Sequence, residues 1–108
     1  MNSRAKGARG ERELASKLKD HGYACYRGQQ YSGANGNADV EGLPGIHIEC
    51  KRVNRLNIEE AMSQAKRDAL FGEIPAVFHR KDDCEWLVTM TLTDWMQMYK
   101  EWEMREAL

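Results

Sequence analysis

No apolar run in this chain approaches the roughly 18 residues that a membrane-crossing helix needs. The opening stretch, MNSRAKGARGERE, lacks the apolar core of a signal peptide, so neither a span nor a leader is expected and the location expected is cytoplasmic. Cysteine is scarce: Cys25, Cys50 and Cys84 are an odd number with no CxxC spacing. That excludes a disulfide frame and a thiolate zinc site, and buried, reduced thiols of an intracellular protein are expected instead. Repeats and low-complexity segments are also missing. What is present, 42% hydrophobic and 31% charged residues, is an ordinary globular composition. The 108 residues make a single domain, residues 1–108. A chain of this size buries about two-thirds of its unfolded surface, so a homodimer interface would usefully enlarge its core.

A formal net charge of −1 conceals an uneven distribution. Residues 1–30 carry seven Lys/Arg against three Asp/Glu, residues 31–81 carry seven of each, and residues 82–108 carry two against seven. A basic front end suits nucleic acid. The competing reading is a pair of solvated helices of opposite sign.

Hydrophobic periodicity predicts a helix over 8–21, with Leu14 and Leu18 one turn apart and Gly22 as its stop. Strands are expected at 23–27, 38–41, 46–52, 75–80 and 85–90. The segment GQQYSGANGN, 28–37, reads as a glycine-rich loop. Asn57 with Glu60 three residues on marks the N-terminus of a helix over 58–71, and a last helix runs from Thr91 or Thr93 to about 106. This order predicts an α/β fold, a mixed central β-sheet flanked by helices.

The stretch GIHIECKR, 45–52, alternates Ile46, Ile48 and Cys50 with His47, Glu49 and Lys51. Solvent on the second face would explain those polar residues. If the turn to strand 38–41 centres on Pro44, however, Asp39 lies across from Glu49 and Glu41 across from His47. Opposed like charges destabilise a sheet unless a shared proton or a hydrated divalent cation offsets them. Two carboxylates with water are the usual holders of Mg²⁺, whose remaining positions can take a phosphate oxygen and an activated water. Lys51, two residues on, would orient that water or act as its base. A register one residue off would separate the acids.

The ordered set KGARGEREL (6–14), Arg27, SG (32–33), ADV (38–40) and ECK (49–51) resembles the archaeal-type Holliday junction resolvases of the PD-(D/E)XK nuclease superfamily, compact phage nucleases included. The likeness covers residues 6–52, continues loosely to residue 80 and leaves out the last helix. The superfamily's proline is missing, Ala38 standing before Asp39. The resemblance implies a restriction-endonuclease-like αβββαβ core, here with an extra strand and a C-terminal helix. It implies an Mg²⁺-dependent homodimeric endodeoxyribonuclease acting on branched DNA, with Mn²⁺ substituting. Asp39 and Glu49 would be metal ligands, with the Cys50 backbone carbonyl and the helix-borne Glu11. Lys51 would be the catalytic lysine, Ser32 the loop serine near the scissile phosphate, and Gln64 the glutamine some members carry on the following helix.

Glu13 competes with Glu11, which as a bare helix charge needs no function. Arg4, Lys6, Arg9, Arg12, Arg27, Arg52 and Arg55 are candidate phosphate contacts, and Tyr31 a ring for base stacking. Trp95, Tyr99 and Trp102, with Met98 alongside, share one helix face, whose default meaning is core packing and whose second is a two-fold interface. Besides the junction nuclease, the same residues admit a general or flap-cutting nuclease, a restriction-type enzyme and a module of the same fold that binds DNA without cutting it.

Overall fold

The structure, a computed structural model, describes residues 3–28 and 38–107, with side chains at 7–28 and 38–106. Its elements are α1 (Ser3–Asp20), β1 (Tyr26–Arg27), β2 (Val40–Glu41), β3 (Ile46–Arg52), α2 (Ile58–Asp68), β4 (Ile74–Arg80), β5 (Leu87–Thr89) and α3 (Leu92–Ala107). The strands form one mixed sheet in the order β1-β2-β3-β4-β5. β3 and β4 are parallel, joined through α2, and the other neighbours are antiparallel. The described residues are thus α/β, with three helices and a five-stranded mixed sheet.

Each face of the central strands is covered by one helix. Leu14 and Ala15 of α1 pack on Val40, Ile48, Cys50, Ala76 and Phe78. Ala61, Met62 and Ala65 of α2 pack on Val77, with Leu56 and Ile58 beside them. In the parallel register Glu49 lies beside Val77, so the His47–Glu49–Lys51 side of β3 faces α2. His47 is 0% and Glu49 2% exposed, which overturns the solvent-face reading. A parallel pair in mid-sheet is covered on both sides, a constraint that alternation along one strand does not reveal.

Local signals account for most boundaries. The Asn57 side chain accepts the Glu60 N–H at 3.1 Å and starts α2. Thr91 Oγ1 does the same for Asp94 N–H at 3.1 Å and starts α3. Gly22 at φ +96° ends α1, its N–H on the Lys19 carbonyl. α2 stops at Asp68, three residues short of expectation, because Ala69 is already extended and Leu70 N–H turns to the Glu73 carboxylate. β1 and β2, only two residues each, are shorter than the segments 23–27 and 38–41 that suggested them.

Two expectations fail. Cys84 is exposed, whereas Cys25 and Cys50 are buried. Trp95, Tyr99 and Trp102 are 49%, 38% and 55% exposed, so this face of α3 is not core. Their rings stack along the helix instead, Trp95 on Tyr99 at 5.2 Å between centroids. None of the helices among the described residues is long and apolar enough to cross a membrane.

Candidate active site

Val40 pairs with Ile48, which sets Asp39 against Glu49 and Glu41 against His47. The β2–β3 ladder breaks just before Val40, and there a side chain replaces the missing backbone partner. Asp39 Oδ2 accepts the Cys50 N–H at 2.8 Å, while Asp39 N–H donates to the Ile48 carbonyl at 3.0 Å. A strand residue's N–H and C=O point to the same side, so the Cys50 carbonyl faces the Asp39 edge too.

Glu49 is the most constrained acid. Burial pushes its carboxyl up to about 8, helped by the charge of Asp39 and opposed by Lys51, with further upward pushes from Asp68 and from a hydrogen bond with Asp39. Lys51 Nζ stands 3.6 Å from Glu49 Oε2 and donates to Gln64 Oε1 at 3.3 Å. The Lys51 side chain is 30% exposed, so its ammonium spans from the buried acid toward solvent. A groove of about 260 Å³ opens beside it, lined by Lys51, Arg55, Asn57, Glu60 and Gln64 among others. A larger cleft of about 680 Å³, reaching from Glu13 and Lys17 to Arg80 and Trp86, includes none of Glu11, Asp39 and Glu49.

Glu11 reaches this cluster from α1. Burial raises its pKa, the hydrogen bond from Arg27 lowers it, and the charge of Asp39 raises it again. Arg27 Nε lies 2.6 Å from Glu11 Oε1. Glu13 is engaged elsewhere, at 2.5 Å from Arg80 Nη1 and 3.5 Å from Arg52 Nε. The Cys50 thiol registers the accumulated charge: burial raises its pKa well above the ordinary thiol value, and Asp39, Glu11, Glu49 and Glu13 all add to that.

Two glycines that sequence reasoning passed over hold the site in shape. A Cβ on Gly10 would come 2.5 Å from the Arg52 Cβ, so α1 can lie this close to β3 only with glycine there. A Cβ on Gly28 would collide with the Ala38 carbonyl oxygen, and Gly28 N–H donates to the Asp39 carbonyl at 2.8 Å. Gly10 sits in the quoted KGARGEREL run, but its role depends on a contact 42 positions away and has no local signal.

The proposed DNA contacts divide into several groups. Arg9, Arg12 and Arg55 are exposed. Arg27 is bound to Glu11. Arg52 is clamped by Asp82 at 2.8 Å and by Glu13, so a phosphate would have to displace an acid there. Arg4 and Lys6 lie on α1, with side chains outside those described, and Tyr31 and Ser32 fall outside the described residues altogether.

The acids, the one ammonium and the Cys50 carbonyl suit a hard divalent cation, which would relieve the Asp39–Glu49 repulsion and keep several waters. Compared with models of protein families, with curated proteins and with solved structures, the chain matches none.

Proposed function

We propose that this chain is an Mg²⁺-dependent DNA endonuclease of restriction-endonuclease-like fold, hydrolysing phosphodiesters in branched DNA such as four-way junctions, with Mn²⁺ able to substitute. The observation that carries the reading is the approach of Asp39 to Glu49 where Glu11 and Lys51 also converge, together with the resemblance in residues 6–52. Buried, opposed carboxylates are costly for a module that only binds DNA, and a cation makes use of them.

Asp39, Glu49 and the Cys50 carbonyl would hold the cation, with Glu11 as the further acid. The cation supplies an acidified water and charge neutralisation at the phosphate. Lys51 orients the attacking water and screens the charge that builds on the phosphoryl oxygens. Gln64 is a positioning residue, fixing the Lys51 ammonium through its amide oxygen. Arg4, Lys6, Arg9, Arg12 and Arg55 would follow the flanking phosphates, where each contact adds salt dependence to binding. By resemblance Ser32 would be the loop serine near the scissile phosphate, and Tyr31 would offer a ring for stacking on an unpaired base.

Two such sites cutting paired strands require a dimer. The exposed aromatic face of α3 is the surface we assign to it, with a second copy of the chain as the occupant. Trp, Tyr and Met are enriched in interface cores, and the neighbouring Asp94, Glu101, Glu103 and Glu106 would repel DNA.

The test is incubation with a four-way junction, a flap, linear duplex and single strands, in Mg²⁺ or in EDTA. Metal-dependent cutting that is strongest on the junction and lost in Asp39→Ala is expected. Equal cutting of all substrates would point to a general nuclease. Tight binding with no cutting in Mg²⁺ or Mn²⁺ would falsify the enzyme and leave a binding module.

A further inference from the structure

We propose that His47, Glu49 and Asp68 form a second cation site, one for a first-row transition dication such as Zn²⁺. One nitrogen or oxygen from each of the three residues lies within 4.8 Å of the other two. Donors bound at about 2.1 Å to one tetrahedral ion stand about 3.4 Å apart, so modest rotation of the two acids would close the set.

The imidazole is the independent sign of a ligand. His47 is wholly buried on β3, and neither ring nitrogen has a hydrogen-bond partner. A buried polar ring in that state is unusual and calls for an explanation. Nδ1 looks toward Glu73 Oε1 at 3.7 Å, and Nε2 toward Glu49 Oε1 at 3.9 Å, both beyond hydrogen-bond length. Metal-bound histidines usually turn the second ring nitrogen toward a carboxylate, which fixes the tautomer. Glu73 occupies that place, leaving Nε2 on the side of Glu49.

Three features separate this site from the one at Asp39. Glu49 Oε1 faces His47, whereas Oε2 faces Lys51, so the imidazole and the ammonium meet different oxygens of one carboxylate. A nitrogen ligand favours Zn²⁺, Co²⁺ or Mn²⁺ over Mg²⁺, which prefers oxygen alone. Asp68 and Glu73 come from α2 and the segment after it, not from the elements that carry Glu11 and Asp39.

The experiment is a Zn²⁺ titration of the metal-free chain against a chromophoric chelator, without DNA, in a Cys84→Ser background that removes the exposed thiol. One Zn²⁺ per chain is expected, undisturbed by millimolar Mg²⁺. His47→Gln and Asp68→Asn should each weaken binding by about tenfold or more, and Glu73→Gln by less. Lys51→Ala should keep one Zn²⁺ per chain, although it should lower cutting by about a hundredfold or more. Sub-stoichiometric Zn²⁺, or wild-type affinity in His47→Gln and Asp68→Asn, overturns the site. If His47→Gln fails to fold by circular dichroism, Asp68→Asn decides alone. Zn²⁺ binding is read without substrate, so a failure of DNA cleavage leaves this result untouched, and cleavage in Mg²⁺ can stand if Zn²⁺ does not bind.

Discussion

Replacing Glu49 by glutamine should stabilise the metal-free protein while ending the proposed nuclease activity. The Glu49 carboxyl is raised from an ordinary 4.5 to about 8 in the fold, mainly by burial and then by Asp39. Below the ordinary value both folded and unfolded chains carry the proton, and the site costs nothing. As pH rises toward 8 the unfolded chain ionises while the folded one stays protonated, so folding weakens by about 1.4 kcal/mol per pH unit. At about pH 7 the accumulated cost is on the order of 3 kcal/mol. Glutamine imitates the protonated acid at every pH and removes that cost. For a chain of this length the gain corresponds to a melting point higher by on the order of 10 °C. Thermal unfolding followed by circular dichroism in EDTA should therefore show a gap between Glu49→Gln and wild type that is small near pH 5 and large near pH 8. Mg²⁺ should then raise the wild-type melting point, by about 2.7 kcal/mol of stability at a hundredfold excess over Kd, and do nothing for the variant. A gap that is the same at both pH values, or a wild type that is the more stable at pH 8, refutes the account of Glu49 as a strained acid.

Other perturbations probe the neighbouring contacts. Lys51→Ala should lower single-turnover junction cleavage by about a hundredfold or more with binding retained, and Gln64→Ala by about tenfold, because the ammonium loses its 3.3 Å acceptor. Gly10→Ala drives a methyl to within 2.5 Å of the Arg52 Cβ, and should lower stability by about 1–3 kcal/mol in urea unfolding. Trp102→Glu should convert the proposed homodimer to monomer in light scattering without altering the far-ultraviolet spectrum, since that ring is 55% exposed. A Trp102→Glu protein that stays dimeric removes α3 from the interface.

Much of the frame was legible because each boundary carries its own chemistry. Strand 46–52 was readable to the residue from its alternation, and Asn57 announced α2 through a cap that depends on only three positions. The Asp39–Glu49 juxtaposition was legible for a similar reason: a turn at Pro44 and Gly45 fixes the register, and Val40 opposite Ile48 is the register found. What the sequence hid depends on the third dimension. Periodicity shows that two faces of β3 differ, but not that α2 covers the polar one, and so it turned His47 and Glu49 into surface residues on one reading. The α3 aromatics have the spacing of a core face, yet no sheet surface remains for them once α1 and α2 have covered both sides of β3 and β4. Apolar periodicity identifies a face that seeks a partner and is silent on whether the partner is the same chain.

The burial of Glu49 also bears on why a polar pair belongs at this place in the sheet. An acid at an exposed edge would meet a cation weakly, because water screens the attraction and competes for the ion. Carrying Glu49 on the central strand under α2 removes that screening, and the same burial disfavours its charge when no cation is present. Lys51 alone leaves the repulsion uncompensated: its effect on Glu49 is smaller than those of burial and of Asp39. Affinity for a dication should consequently climb with pH up to about 8, as the bound proton gives way, and binding should release protons. Calorimetry of Mg²⁺ binding in two buffers of different ionisation enthalpy measures that release. At about pH 7 close to one proton per ion is expected for the wild type and none for Glu49→Gln. Binding with no proton released by the wild type would mean either that Glu49 is already ionised, which refutes its raised pKa, or that the cation finds its ligands elsewhere.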